Sequence, residues 1–406
     1  MTGHKIISDP VFGFIKIPQG ILLDIVKHPL MQRLSRIKQL GMASMVYPGA
    51  QHTRFQHSLG AYHLTTEAIL TLRQKGVFIF DSEAEAVCAA VLMHDIGHGP
   101  FSHVLENTLI EDISHEELSI LMMEHINREM HGELHLAIKI FKNQYHQRFL
   151  HCLISSQLDM DRLDYLKRDS FYTGVVEGDI GSARIIKMLQ IADDKLAVEA
   201  KGIYSIENYL TARRLMYWQV YLHKTTVACE KMLIQILRRA KHLIQDGRQL
   251  FASPALLYFL ARKVDRQQFL SDEEAWQMYG FLDDNDIWCA VKVWSRHEDK
   301  VLSMLSKDLI DRNLFEVTVS EAPATEEQIE DISRRISRST GLSREEAGYM
   351  ICEDTVQKDM YDFADEEISI VDKYGNIRDV TEASEILHQA LLSKKNRKYY
   401  LCHRRF

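Results

Sequence analysis

Hydrophobic residues recur at the spacing of an amphipathic α-helix over most of this chain. One long stretch covers residues 21–40 and is interrupted at Pro29. Another covers residues 205–247 and ends at a glycine stop signal. The pattern therefore predicts a mainly α-helical fold.

Strand-like patterns are recognisable at the two ends of the sequence, and residues 171–199 are of mixed character. Residues 1–20 combine short apolar pieces with turn residues, which predicts a small β-ribbon. Beyond residue 320, short strand-like runs alternate with helical ones, for example at residues 368–371 and 399–402. We therefore expect a helical bundle that ends in a small C-terminal α+β appendage.

The amino-acid composition favours a globular protein and argues against nucleic-acid and membrane partners. With 46% hydrophobic and 26% charged residues, the 406-residue chain is typical of a globular domain with a sizeable core. A net charge of −8 gives no general attraction for nucleic acid, so we do not expect such a partner. The six cysteines are scattered, and neither a signal peptide nor an apolar run of ~18 residues is apparent. A cytoplasmic protein without a membrane partner is the expectation.

The strongest chemical signal lies between residues 91 and 103. An apolar helix, expected to start from a capping box at Ser82-x-x-Glu85, gives way here to a glycine-rich turn. The segment carries one carboxylate and three imidazoles, namely Asp95, His94, His98 and His103. An adjacent His-Asp pair offers the nitrogen and oxygen ligands that many divalent metals accept. A histidine stabilised by the helix dipole is the simpler reading, but it accounts for only one of the three.

Two helix starts elsewhere carry further candidates. Arg54 and His57 share a face of a helix that begins at the capping box Thr53-x-x-Gln56. The positive end of this helix and Arg54 together suit a phosphate. His115 falls in the first turn of another capped helix. Alone, His57 is more simply an ordinary partly buried histidine and His115 a solvent-facing one.

A charged helix supplies a third group. Asp161, Arg162, Tyr165 and Asp169 fall on one side of the helix predicted after residue 158, and leucines occupy much of the rest. This arrangement favours a pocket wall over a solvated face. Arg213 lies on the same ridge of a later helix as Tyr217 and Tyr221, although aromatic residues at this spacing often serve only packing.

Two histidines and two aspartates from three different helices can close on one cation, as helical bundles commonly arrange. These residues are His57, His94, Asp95 and Asp161. The pattern resembles the HD-domain phosphohydrolases. The segments around Gln39, Arg54, His94 and Asp161 resemble in particular the deoxynucleoside triphosphate triphosphohydrolases, which include bacterial dGTPase-like enzymes and the animal SAM-and-HD-domain enzyme. The resemblance covers roughly residues 5–320.

The resemblance implies an HD-domain helical bundle that hydrolyses a deoxynucleoside triphosphate (dNTP) to the deoxynucleoside and inorganic triphosphate. It also implies a divalent metal, which can be iron, manganese, magnesium or zinc because mixed N/O ligands discriminate poorly. The implied units are an N-terminal ribbon and helix within the catalytic unit at 1–50, the metal-binding core at 51–170, a helical extension that completes the pocket at 171–320, and the α+β region at 321–406.

By motif match, the resemblance implies two groups of substrate-binding residues. The sugar would be bound by Gln39, Tyr165, Asp169 and Tyr221, and the phosphates by Arg54, Arg162 and Arg213. Catalytic roles fall to His98, His103, Glu106 and His115 near the scissile bond. A sugar alkoxide is a poor leaving group, and histidine titrates in the range that its protonation requires. The sequence does not assign the general acid among these histidines.

Two departures from the animal enzyme affect regulation and base choice. Leu222 stands where that enzyme has a glutamine, which leaves base preference open. Its guanine-reading regulatory aspartate and arginine are replaced by Lys27 and Ser35, whereas Lys5 and Arg184 match other positions of that regulatory site. We therefore expect an allosteric nucleotide at Lys5 and Arg184 without guanine specificity, in a homo-oligomer such as a dimer or tetramer.

Alternative functions remain at this stage. An HD enzyme acting on another nucleotide, such as a monophosphate or a cyclic nucleotide, needs fewer positive charges than Arg162 and Arg213 supply. A nucleotide-responsive assembly protein without turnover needs no proton donors, so the presence of His98, His103 and His115 disfavours it.

Overall fold

The computed structural model describes residues 3–101, 104, 108–110, 112–357, 367–384, 386–387 and 397–406. Helices dominate this part of the chain, as the sequence predicts. In the first half the α-helices are α1 (Ile21–Lys27), α2 (Pro29–Arg33), α3 (Arg54–Gln74), α4 (Asp81–Met93), α5 (His115–Glu129), α6 (His135–Phe141), α7 (Arg148–Cys152), α8 (Met160–Thr173) and α9 (Ser182–Met188).

The second half is also mainly helical within the described residues. Its α-helices are α10 (Ile203–Met216), α11 (Lys224–Gln245), α12 (Pro254–Ala261), α13 (Arg266–Ser271), α14 (Glu273–Phe281), α15 (Asp284–Trp294), α16 (Lys300–Ile310), α17 (Glu326–Thr340), α18 (Arg344–Gly348) and α19 (Val380–Ala383). No helix in this described part is long and apolar enough to cross a bilayer.

Three small sheets accompany the helices. Their strands are β1 (His4–Asp9), β2 (Gly13–Pro18), β3 (Leu189–Ala192), β4 (Lys195–Glu199), β5 (Glu316–Ser320), β6 (Ile351–Gln357), β7 (Ser369–Val371), β8 (Ile377–Asp379) and β9 (Arg397–His403). The β1–β2 hairpin confirms the predicted ribbon. The sheet order β5-β9-β6 lies in the C-terminal region, and β7 pairs in parallel with β4. The C-terminal region is thus joined by backbone hydrogen bonds to a hairpin from the middle of the chain.

The capping boxes at Thr53 and Ser114 are confirmed as the starts of α3 and α5. The prediction at Ser82 is wrong, because α4 already begins at Asp81 and Glu83 accepts a hydrogen bond from the backbone N–H of Phe80 at 2.8 Å. Glu83 stands three residues after the N-cap Phe80 and satisfies its N–H, so the predicted N-cap at Ser82 lies two residues too late.

The long helical pattern at residues 205–247 is divided in the structure. A π-helical turn at Tyr217–Tyr221 separates α10 from α11, and His223 caps the start of α11. Hydrophobic periodicity continues across the break, which is why the sequence shows one stretch. A π-helical turn often marks a functional site, and this one presents Tyr217 and Tyr221.

Three helices position the functional residues. Helix α3 packs against both α4 and α8, and the side chains between them are almost entirely buried. Ile96, in the turn that follows α4, is supported from α2, because the fully buried Arg33 donates to the Ile96 carbonyl at 3.4 Å. From α14, the Tyr279 hydroxyl donates to the Gly97 carbonyl at 2.6 Å. The turn that carries the His-Asp pair is therefore held on several sides.

We predict that Tyr279→Phe lowers the free energy of unfolding by about 1–2 kcal/mol, because it leaves the buried Gly97 carbonyl without this donor. Urea denaturation followed by circular dichroism measures the change. Tyr204→Phe is the matched control, since Tyr204 is 74% exposed and its replacement should have no effect. Equal stability of both variants would contradict the proposed support of the turn.

Candidate metal centre and nucleotide pocket

Three predicted metal ligands meet at one point in the structure. Nε2 of His57 on α3 lies 3.2 Å from Nε2 of His94 at the end of α4. Oδ1 of Asp161, in the first turn of α8, lies 3.1 Å from Nε2 of His57 and 3.6 Å from Nε2 of His94. One ligand atom from each residue lies within 4.8 Å of the others. The three therefore form a candidate metal site.

The remote ring nitrogens fix which atoms face this point. Nδ1 of His94 lies 2.7 Å from the Val91 carbonyl, which can only accept, so this nitrogen carries the proton. Nδ1 of His57 lies 2.7 Å from Oδ2 of Asp164 and in the same way donates to that carboxylate. In each ring, Nε2 is therefore the atom that can offer a lone pair to a cation at this point, beside Asp161. This donor set fits a divalent cation.

The pKa shifts of His57 and Asp161 show that the surroundings of the candidate metal site favour positive charge. Burial disfavours a charged His57, but hydrogen bonds with Asp161 and Asp164 outweigh it and raise the pKa of His57 to about 10. Burial likewise opposes ionisation of Asp161, yet His57 and His94 hold its pKa well below the usual range. The surrounding groups thus stabilise a cation at this position.

A series of buried ion pairs supports the Nδ1 side of the His57 ring, opposite the candidate metal site. Arg168 donates to Asp164 through Nε at 2.9 Å and to Asp9, at the end of β1, through Nη1 at 2.7 Å. All three side chains are almost fully buried. A Cβ atom at Gly60 would lie 1.8 Å from Asp164 Oδ1 and 2.2 Å from Arg168 Nη2, so only glycine leaves room for the pair.

Asp95, the fourth predicted ligand, lies beside the cluster but has other partners. Its carboxylate oxygens lie 3.5 Å from Nε2 of His94 and 3.8 Å from Nε2 of His57. Oδ2 accepts a hydrogen bond from Arg54 at 2.6 Å, and Oδ1 lies 3.1 Å from Nδ1 of His98. Arg54, predicted as a phosphate ligand, is thus engaged with Asp95. The roles of both residues remain predictions.

Two of the predicted catalytic residues have their rings in close contact. The rings of His98 and His115 have centroids 4.0 Å apart at an interplanar angle of 32°. Burial, reinforced by the positive charge of Arg54, lowers the pKa of His98 to about 3. The other two predicted residues, His103 and Glu106, lie outside the described residues.

The two predicted triphosphate ligands lie in one polar cluster. Arg162 donates to Oδ2 of Asp159 at 2.5 Å, and Nη1 of Arg213 lies 3.5 Å from Oε1 of Gln157. Tyr209 donates to the Gln157 carbonyl at 2.6 Å, which ties α10 to the start of α8. Nε of Arg213 is buried and has no hydrogen-bond partner among the described residues.

Three of the predicted sugar ligands, Tyr165, Asp169 and Tyr221, lie close to one another. The Tyr165 ring lies 6.4 Å from the His57 ring and 6.1 Å from the Tyr221 ring, measured between centroids. The Tyr221 hydroxyl donates to Oδ2 of Asp169 at 2.8 Å. Oε1 of Gln39 is buried without a partner in the described part of the chain. Burial, with the nearby Asp169 charge, raises the pKa of Tyr221, so it is a neutral donor.

The predicted allosteric residues lie on two other elements. Lys5 is exposed on β1, and Arg184 is exposed on α9, where it donates to the Lys201 carbonyl at 3.3 Å. Their role as nucleotide ligands remains a prediction.

Sequence reasoning missed the supporting residues His52, Asp164 and Arg168. Asp164 and Arg168 are four apart on α8, and this spacing of opposite charges could have indicated their pairing. His52 precedes α3 in an irregular segment, so no helical periodicity marks it.

We predict that Asp164→Asn weakens divalent-metal affinity by about 10- to 100-fold, because the amide is a poorer acceptor for His57 and leaves Arg168 without one charge partner. Chelator competition with manganese measures the change. Asp24→Asn on α1 is the control, since Asp24 is exposed. Unchanged affinity would show that Asp164 does not support the metal site.

Comparison with known families agrees with this geometry. The family profile described as HD domain matches residues 54–169, and the profile described as HD associated region matches residues 180–251. The first range contains the whole candidate metal site, and the second contains Arg213 and Tyr221.

Similar proteins extend the match over the rest of the chain. The crystal structure of a phosphohydrolase from Bacteroides thetaiotaomicron has a TM-score of 0.97 and 61% identity, covering 99% of this chain and 100% of that one. Protein YwfO of Bacillus subtilis is 33% identical over 78% of this chain and 72% of its own length. The deoxynucleoside triphosphate triphosphohydrolase SAMHD1 homolog of Dictyostelium discoideum is 29% identical over 61% of this chain and 51% of its own length. This chain belongs to the HD-domain phosphohydrolase family.

Proposed function

We propose that this phosphohydrolase converts a dNTP and water to the deoxynucleoside and inorganic triphosphate. The observation that carries the proposal is the distribution of groups along α8. Asp161 belongs to the candidate metal site, Arg162 follows it, and Tyr165 and Asp169 continue along the helix towards Tyr221. The candidate metal site therefore lies on the same helix as an arginine and a phenol-carboxylate pair, which supports the proposal.

The order of these residues along α8 corresponds to the order of the triphosphate and the sugar in a dNTP. Guanidinium groups bind phosphate oxygens through charge-assisted hydrogen bonds, which favours Arg162 and Arg213 as the triphosphate end. The Tyr221 hydroxyl already donates to Asp169, so both residues offer acceptor oxygens to the hydroxyl of a sugar. The relative from Dictyostelium, named as a deoxynucleoside triphosphate triphosphohydrolase, supports the same substrate class.

The metal ligands in this proposal are His57, His94 and Asp161, with Asp95 as a fourth. A divalent cation bound there supplies charge neutralisation at phosphorus and activation of water. Water attacks the α-phosphorus, the bond from that phosphorus to the 5′ oxygen breaks, and the oxygen takes up a proton. His98, with its lowered pKa, is neutral near pH 7, so His115, whose ring lies against that of His98, is the described histidine placed to deliver it.

A second function within the family is hydrolysis of a nucleotide with fewer phosphates. The pair Arg162 and Arg213 disfavours it, because a monophosphate bound at the metal site needs fewer guanidinium partners than a triphosphate does.

Product analysis tests the proposed reaction. Manganese-loaded protein is incubated with each of the four dNTPs, and products are separated by ion-exchange chromatography. We expect intact triphosphate and deoxynucleoside. His94→Ala and Asp161→Ala should lose bound metal and turnover together, because each removes a ligand atom. Release of orthophosphate or pyrophosphate in place of triphosphate would reject the proposal.

Substitution of Arg213 tests the triphosphate end. We predict that Arg213→Ala raises KM for a dNTP by about 10-fold or more, because a charge-assisted hydrogen bond is lost, while metal content stays unchanged. Steady-state kinetics and metal analysis measure the two effects. Arg214→Ala is the matched control, since Arg214 is the exposed neighbour on the same helix. Similar KM values for both variants would remove Arg213 from the substrate site.

A further inference from the structure

Asp169 is held by two donors from different parts of the chain. Nε2 of His52 lies 2.7 Å from Oδ1, and the Tyr221 hydroxyl donates to Oδ2 at 2.8 Å. The side chains of His52 and Asp169 are 0% and 1% exposed. Since one donor engages each carboxylate oxygen, the plane of the carboxylate cannot rotate without breaking both contacts.

The surroundings of His52 fix its ring in turn. The ring stacks on Tyr172 with centroids 4.4 Å apart and planes 19° apart. The His52 carbonyl accepts from the backbone N–H of Gln39 at 3.0 Å, so the segment is tied to another predicted sugar ligand. Tyr172 is itself held, because its hydroxyl accepts from Nε2 of Gln56 at 3.2 Å.

The hydrogen bonding of the ring is one-sided. Nδ1 of His52 is buried and has no hydrogen-bond partner among the described residues, whereas Nε2 faces Asp169. A core histidine kept for packing usually satisfies both nitrogens, because an unpaired buried polar atom costs free energy. The single contact retained here is the one that orients Asp169.

The orientation has a chemical consequence for substrate recognition. A carboxylate has about four acceptor positions, and His52 and Tyr221 occupy two of them. The remaining positions can accept a hydroxyl proton from a ligand. In a 2′-deoxynucleotide the 5′ oxygen is esterified, so the 3′-hydroxyl is the single free hydroxyl of the sugar.

We propose that His52 is a positioning residue for substrate selection: it orients Asp169 so that the enzyme prefers nucleotides that carry a 3′-hydroxyl. This inference rests on the proposed dNTP hydrolysis. His52 itself does not touch the substrate, and its effect passes through the 2.7 Å contact with Asp169.

The test compares a dNTP with its 2′,3′-dideoxy analogue, for which kcat/KM is measured in each variant. The wild-type protein should prefer the dNTP by about 10-fold or more, as expected for a hydrogen bond to a charged group. In His52→Leu the preference should fall towards one, mainly through a higher KM for the dNTP. Partial unfolding lowers kcat/KM for both substrates equally and so leaves the ratio unchanged.

Two further variants separate positioning from packing. His52→Gln keeps an N–H donor at a similar distance from the backbone and should restore most of the preference. His135→Leu, an exposed histidine at the start of α6, should keep the wild-type ratio.

Each outcome decides a different statement. If the wild-type protein prefers the dNTP and His52→Leu keeps that preference, the inference is overturned and the proposed function stands. Failure of His52→Gln to recover the ratio while His52→Leu loses it would assign His52 to packing, which also overturns the inference. If the wild-type protein hydrolyses neither substrate, the proposed function fails and the inference fails with it.

Discussion

Two imidazole nitrogens converge on a carboxylate, and a shared positive charge, either a proton on His57 or a bound cation, holds the three groups together. Nε2 of His57 and Nε2 of His94 are 3.2 Å apart, and Asp161 adds a negative charge at nearly the same distance. In a water-excluded setting the mutual repulsion of such groups is large, whereas their attraction for a divalent ion is equally strong. This constraint explains why α3, α4 and α8 meet where they do.

The neighbouring structure maintains that arrangement. Asp164 holds His57 in the required tautomer, Arg168 balances the charge of Asp164, and Asp9 connects the pair to the N-terminal hairpin. Gly60 allows α3 and α8 to approach closely enough for these contacts. These buried charged residues thus orient the His57 ring so that Nε2 faces the candidate metal site. The same helix α8 also carries residues of the proposed phosphate and sugar ends of the pocket.

Local signals predicted much of the fold. The capping boxes at Thr53 and Ser114 place helix starts correctly because these hydrogen bonds form between residues three apart, whatever the rest of the chain does. The Ser82 box failed because an equally good acceptor, Glu83, serves an earlier N–H. The sequence pattern did not predict the helix break at Tyr217–Tyr221, because a π-helical turn leaves the hydrophobic periodicity on both sides intact.

The sequence by itself determined the helical class, the helix ends that carry His57, His94 and Asp161, and the chemical character of the ligands, since residue type and local spacing suffice for these. Only the tertiary structure decided that Arg54 pairs with Asp95 and that His52 reaches Asp169 across 117 positions. Such pairings depend on which side chains the packed helices bring within about 3 Å of one another, and no local pattern in the chain encodes that distance.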